Sequence, residues 1–136
     1  MPTVELLFSA QPEHVRTARL VAAAVARRAG VDEAALDEVR LAVGEACSRA
    51  VGLHRINGVD QPVRVRLTEE EKKFSIEVAD EVPGPASGAA PDAPDDAADD
   101  EGEMGLAVIS GLVDDVEVIE GEKGGVIRMS WPTVAP

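Results

Sequence analysis

The chain has no tyrosine, one tryptophan and two phenylalanines, so Phe8, Phe74 and Trp131 are its whole aromatic content. Single-stranded nucleic acid is gripped largely by stacking bases on aromatic rings, and that platform is missing. Positive charge is scarce too: 13 Lys and Arg face 26 Asp and Glu, a formal net charge of −13. A nucleic-acid binder needs a basic stripe to meet the phosphates, and an anionic membrane makes a similar demand. The expectation is therefore no nucleic acid and no membrane among the partners, and a partner with basic patches as the natural complement.

Cys47 is the single cysteine. That rules out an intrachain disulfide framework and suits a reducing cytoplasm, the expected location. On the apolar face of a helix, Cys47 reads as a small core residue. No apolar run reaches the roughly 18 residues of a membrane span, and the N-terminus shows no basic-then-apolar signal pattern. His14 and His54 have no partner at ligand spacing, so no metal centre is expected. A Ser–His–Asp arrangement finds no support either.

At 136 residues the length fits one domain. The sequence predicts a strand over Thr3 to Phe8, then a helix from Pro12 that stops at Gly30. Asp32 caps a second helix whose stripe, Leu36, Val39, Val43, Ala46 and Ala50, follows the helical period and ends at Gly52. Val63, Val65 and Leu67 alternate, as do Phe74, Ile76 and Val78, giving an antiparallel hairpin over 62–80 with a charged turn from Thr68 to Lys73. Residues 83–103 are rich in Pro, Gly, Ala and acid and cannot build a core, which predicts a mobile acidic loop. Met104 to Val113 reads as a buried helix, apolar almost all round. A closing hairpin pairs Val116–Glu120 with Val126–Trp131. This order predicts an α+β domain over 1–136: a single mixed, mostly antiparallel sheet with three helices on one face.

Polar residues break these apolar patterns at three places. Glu45 and Arg49 stand at i and i+4 on the second helix, where spacing alone gives an exposed ion pair worth about 0.2–0.5 kcal/mol. Asp80 continues the apolar face of its strand, either as a buried carboxylate in need of partners or as a turn residue that ends the strand. Gly102, Gly105 and Gly111 accompany the last helix and could simply allow close packing.

Taken in order, these pieces resemble the ATP-binding domain of the GHKL superfamily. Within it they are similar to the small anti-sigma factor/serine kinases of bacterial stress and sporulation control. Val43-Gly-Glu-Ala-Cys-Ser-Arg-Ala-Val51 resembles the first box of the family, Ile76 to Asp80 followed by Gly84 the second, and Gly102-Glu-Met-Gly-Leu-Ala-Val-Ile109 the third. The resemblance implies a histidine-kinase-like ATPase fold with ATP and Mg²⁺ as cofactors. It makes Glu45 the general base that activates a hydroxyl, and Asp80 the acceptor for the adenine amino group. Gly84, Gly102 and Gly105 would let backbone approach the nucleotide. Residues 83–103 would be the lid.

Three departures bear on activity. The family's metal-holding Asn is Arg49, and a guanidinium has only donors. Arg49 would either bind phosphate directly or lock Glu45 in an ion pair. Val82 stands where a glycine belongs and would crowd the nucleotide. The lid carries Asp92, Asp95, Asp96, Asp99, Asp100, Glu101 and Glu103 with no base, which repels a polyphosphate within a Debye length of about 8 Å.

The expectation is an anti-sigma-like regulator with ATP and Mg²⁺ binding weak or lost. By the resemblance it holds a sigma factor, is released by a STAS-domain anti-anti-sigma protein, and is a candidate homodimer, since the family often forms them. The alternatives are an active serine/threonine kinase acting on that antagonist, and a scaffold for another regulator.

Overall fold

The computed structural model describes residues 3–82, 107–113, 115–121 and 124–133. The expected lid at 83–103, which includes Gly84 and Gly102, lies outside the described residues, as does Gly105. The elements run β1 (Thr3–Phe8), α1 (Pro12–Ala29), a 3₁₀ turn (Glu33–Ala35), α2 (Leu36–Ile56), β2 (Val63–Glu70) and β3 (Lys73–Ala79). A helical stretch at 107–112, β4 (Asp115–Gly121) and β5 (Gly124–Pro132) follow. One sheet of order β1-β2-β3-β5-β4 results, with every pairing antiparallel. The α+β architecture expected from the sequence is the one that forms.

Alternation in the strands decides which face the helices cover. Val63, Val65, Leu67, Phe74, Ile76, Val78, Ile127, Met129 and Trp131 are all buried on one face. The helices supply small residues against them: Val15, Ala18, Ala22 and Ala26 from α1, and Val39, Val43, Ala46, Cys47 and Ala50 from α2. Small side chains let the two helices lie close, so aliphatic volume replaces the missing aromatics. A fully buried Phe74 or Ile76 contributes about 1.5–3 kcal/mol by area removed from water.

The opposite face is charged and registered. Strand pairing sets Glu5, Arg66, Glu77, Arg128 and Glu117 side by side across all five strands. Arg66 lies 3.6 Å from Glu5 and 3.8 Å from Glu77, and Arg128 lies 3.8 Å from Glu77. Opposite charges at paired positions favour this register, and a slip of one residue would bury the whole row.

Local signals explain most boundaries. Pro12 opens α1 after extended Gln11, and Gly30 closes it at φ 102°, which a side chain resists. The Asp32 carboxylate accepts the Ala34 N–H at 3.3 Å. It thus caps the 3₁₀ turn that leads into α2, rather than α2 itself.

Four further expectations need correction. Helix α2 does not end at Gly52 but runs to Ile56. A mid-helix glycine costs about 1 kcal/mol, and the burial of His54 in the last turn offsets it. The charged turn is shorter than Thr68 to Lys73, because β2 and β3 pair down to Glu70 and Lys73, leaving Glu71 and Lys72, the latter at φ 66°. The stretch after Gly105 is not buried all round: Ile109 and Val113 are buried, while Ala107, Val108, Ser110 and Gly111 are exposed. Finally, Glu45 and Arg49 form no ion pair with each other. Arg49 turns instead to β3 and β4.

Candidate functional site

Asp80 follows the last residue of β3, beside the first residues of β5. Its backbone N–H donates to the Gly125 carbonyl at 2.9 Å. Its Oδ1 accepts the N–H of Val82 at 2.9 Å and of Gly125 at 3.2 Å. Asp80 is only 7% exposed, and two backbone donors supply the partners that a buried carboxylate needs. Both readings of its sequence position therefore hold: it is a buried carboxylate, and it organises a turn.

Such a tight junction demands glycine on β5. Gly124 has φ 138°, and a Cβ there would lie 1.9 Å from the Asp80 carbonyl oxygen. A Cβ on Gly125 would come within 3.1 Å of Asp80 Oδ2. From sequence, these glycines read only as turn residues of the closing hairpin. Their second role appears once the strand register sets them against Asp80.

Arg49 reaches this junction from α2. Its Nη1 lies 4.0 Å from Asp80 Oδ2 and its Nη2 lies 3.8 Å from Glu120 Oε2, with the side chain 14% exposed. Nε is buried and has no hydrogen-bond partner among the described residues. Glu120 was not anticipated, although a signal existed: it continues the Val116, Val118 face of β4, as Asp80 continues the face of β3. Glu45, one turn before Arg49, is half-buried and has neither a hydrogen bond nor an ion pair among the described residues.

His54 is the second residue that sequence reasoning missed. It continues the buried stripe of α2 at i+4 from Ala50 and is 0% exposed. Its Nε2 accepts the Glu81 N–H at 2.9 Å, and its Nδ1 lies 2.9 Å from the Gln61 carbonyl, which can only accept. The ring is therefore held as the Nδ1–H tautomer, pinning the residue after Asp80 to α2 and to the approach to β2. Cys47, on the same helix, is a core residue as expected. Burial pushes its thiol up to about 12.

The geometry thus unites Arg49 and Asp80, leaves Glu45 one helical turn away, and adds Glu120, His54, Gly124 and Gly125. A guanidinium offers five donors and no acceptor, so the residue at position 49 does not fit a metal ion. An adenine amino group would find Asp80 Oδ2 already facing Arg49.

An antiparallel sheet backed by two helices, with an acidic residue on α2 and an aspartate at the β3 end, defines a class. The sequence pattern of the histidine kinase-like ATPase domain matches residues 8–131, and the chain belongs to that family. Within it, the chain is similar to serine-protein kinases called RsbW. The RsbW of Bacillus pumilus is 32% identical over 140 residues, covering 93% of this chain and 83% of the relative. That of Oceanobacillus iheyensis is 30% identical over 139 residues, covering 93% and 84%. The crystal structure of the RsbU and RsbW domains of Rv1364c from Mycobacterium tuberculosis matches with a TM-score of 0.72 at 17% identity. That match covers 100% of this chain but 34% of the other, and at such identity it speaks for the fold alone.

Proposed function

We propose that this chain is an anti-sigma-like regulatory protein of the partner-switching kind, working by protein contact with a degenerate ATP site. The observation that carries this reading is Arg49. Where the family holds Mg²⁺ through an asparagine oxygen, this chain places a cation of its own against Asp80 and Glu120. Bringing Mg²⁺ there would set like charges together in a mostly buried site. Val82, whose N–H is tied to Asp80, and the acid-rich 83–103 segment support the same conclusion.

The partners that the resemblance implies are a sigma factor and a STAS-domain antagonist that releases it. Charge on the described surface supports protein docking. Helix α1 carries Arg16, Arg19, Arg27 and Arg28 against a single Glu13, a basic segment in a chain of net charge −13. Arg16, Arg19 and Leu20 are exposed, so this one face offers charge and an apolar anchor to an acidic patch, while the net charge of −13 still calls for basic patches elsewhere on the partner. On α2, Glu38 is engaged with the sheet, its Oε1 accepting the Trp131 indole N–H at 3.1 Å. Among the described residues no helix is long and apolar enough to cross a membrane.

One observation favours the second reading, a working serine/threonine kinase. Glu45 is not locked by Arg49, so the general-base position stays open. Affinity capture from the native cell tests the leading proposal. A sigma factor or a STAS-domain protein should be retained, with capture falling as salt rises. Recovery of neither class, with an unrelated protein held at high salt, would leave only a scaffold role. Phosphate transfer to a captured STAS protein in the presence of Mg·ATP would favour the kinase.

A further inference from the structure

We propose that Arg49 is a built-in latch that ties edge strand β4 to α2 and to the β3 end, so that nucleotide does not set this junction. The proposal rests on the reading of Arg49 as the occupant of the metal position. It adds a mechanical consequence to that reading.

Strand β4 is held along one edge only. It lies at the sheet edge, and Val118 and Ile119 are 44% and 52% exposed. Val116 packs against the core, and the ladder to β5 supplies the backbone bonds. Glu120 is the one residue of β4 for which the described structure shows an ion pair, and its partner is Arg49. The same guanidinium reaches Asp80, which is bonded through backbone to Val82 and Gly125. One side chain from α2 therefore bridges two strands separated in the sheet by β5. A metal held by a side-chain oxygen would come and go with its nucleotide, whereas Arg49 is covalently part of α2. Its buried Nε, without a partner among the described residues, marks a placement that hydrogen bonding alone would not choose. Attraction to the two carboxylates explains it.

Amide hydrogen exchange by NMR on the full chain tests the latch, using Glu120→Gln and Arg49→Gln with and without Mg·ATP. Glu120 is 41% exposed, so its variant should fold even if the Arg49 variant does not. In Glu120→Gln, exchange over residues 115–121 should quicken about two- to five-fold, the range for a partly exposed ion pair. Residues 63–70 should be unchanged. Arg49→Gln should quicken the same strand and also the Val82 and Gly125 amides. In the wild type, Mg·ATP should leave exchange over 115–121 unaltered. A silent Glu120→Gln, or protection of β4 by Mg·ATP in the wild type, would overturn the latch. Calorimetry on the same samples separates the two claims. Tight Mg·ATP binding with β4 unaffected would sink the degenerate-site reading and spare the latch. No binding together with a silent Glu120→Gln would do the reverse.

Discussion

Asp80 and Gly125 are bonded in both directions: the Asp80 N–H donates to the Gly125 carbonyl, and the Gly125 N–H donates to Asp80 Oδ1. The exchange brings the β3 end so close to β5 that Gly124 has no room for a side chain. Gly124→Ala should cost at least about 3 kcal/mol, combining a strained φ with backbone overlap. Gly58→Ala makes the control, since Gly58 has φ 65° but nothing within 4 Å of where a Cβ would stand. It should cost only about 1 kcal/mol. Chemical denaturation of both variants checks the contrast, and equal losses would mean the Asp80 junction is looser than described.

His54 bridges two chain segments through opposite edges of one ring. His54→Leu fills the space but leaves the Gln61 carbonyl and the Glu81 N–H without partners, a loss of about 2–4 kcal/mol. His54→Gln keeps a donor and an acceptor and should recover part of it. Thermal unfolding of the pair decides the matter. Equal melting temperatures would show that the ring contributes only its volume.

These two junctions mark where sequence reading succeeded and where it stopped. Period-two and period-3.6 patterns placed the strands and helices, because each buries one continuous face, as Phe74, Ile76 and Val78 do. Asp80 was legible for the same reason, as a polar residue on an apolar face. Glu120 and His54 carried the same kind of signal, but Ile119 beside Val118 blurs the alternation before Glu120, and His54 lies past Gly52, where the sequence predicts the helix to end. The direction of Arg49 could not be read. Spacing along α2 offers Glu45 as a partner, and only the folded sheet brings Asp80 and Glu120 nearer. The twin glycines needed the strand register before their role against Asp80 had meaning.

Cys47 should be inert in the native state. Burial raises its thiol from 9.0 to about 12, so the native protein retains the proton where an unfolded chain loses it. At pH 8 a thiol reagent should label Cys47 only on unfolding. The sign of the linkage follows: this stabilisation is fully present below about pH 9 and is lost as pH rises toward about 12. Cys47→Ala should flatten that part of the stability profile. Rapid labelling of folded protein would contradict the burial.

Arg49→Asn supplies a side-chain oxygen able to hold a metal, as the proposed function requires, and removes the charge facing Asp80. It should gain Mg²⁺-dependent nucleotide binding if the remaining pocket is formed. If Arg49→Asn stays inert in calorimetry, then Val82 or the acid-rich segment becomes the block. The double variant with Val82→Gly tests that alternative.

The central claim is that Arg49 has taken the metal's position, and titration calorimetry of the wild-type chain with Mg·ATP tests it most directly. The account predicts weak heat or none, with the isotherm unchanged when a chelator removes Mg²⁺. A low-micromolar dissociation constant that disappears with the chelator would contradict it.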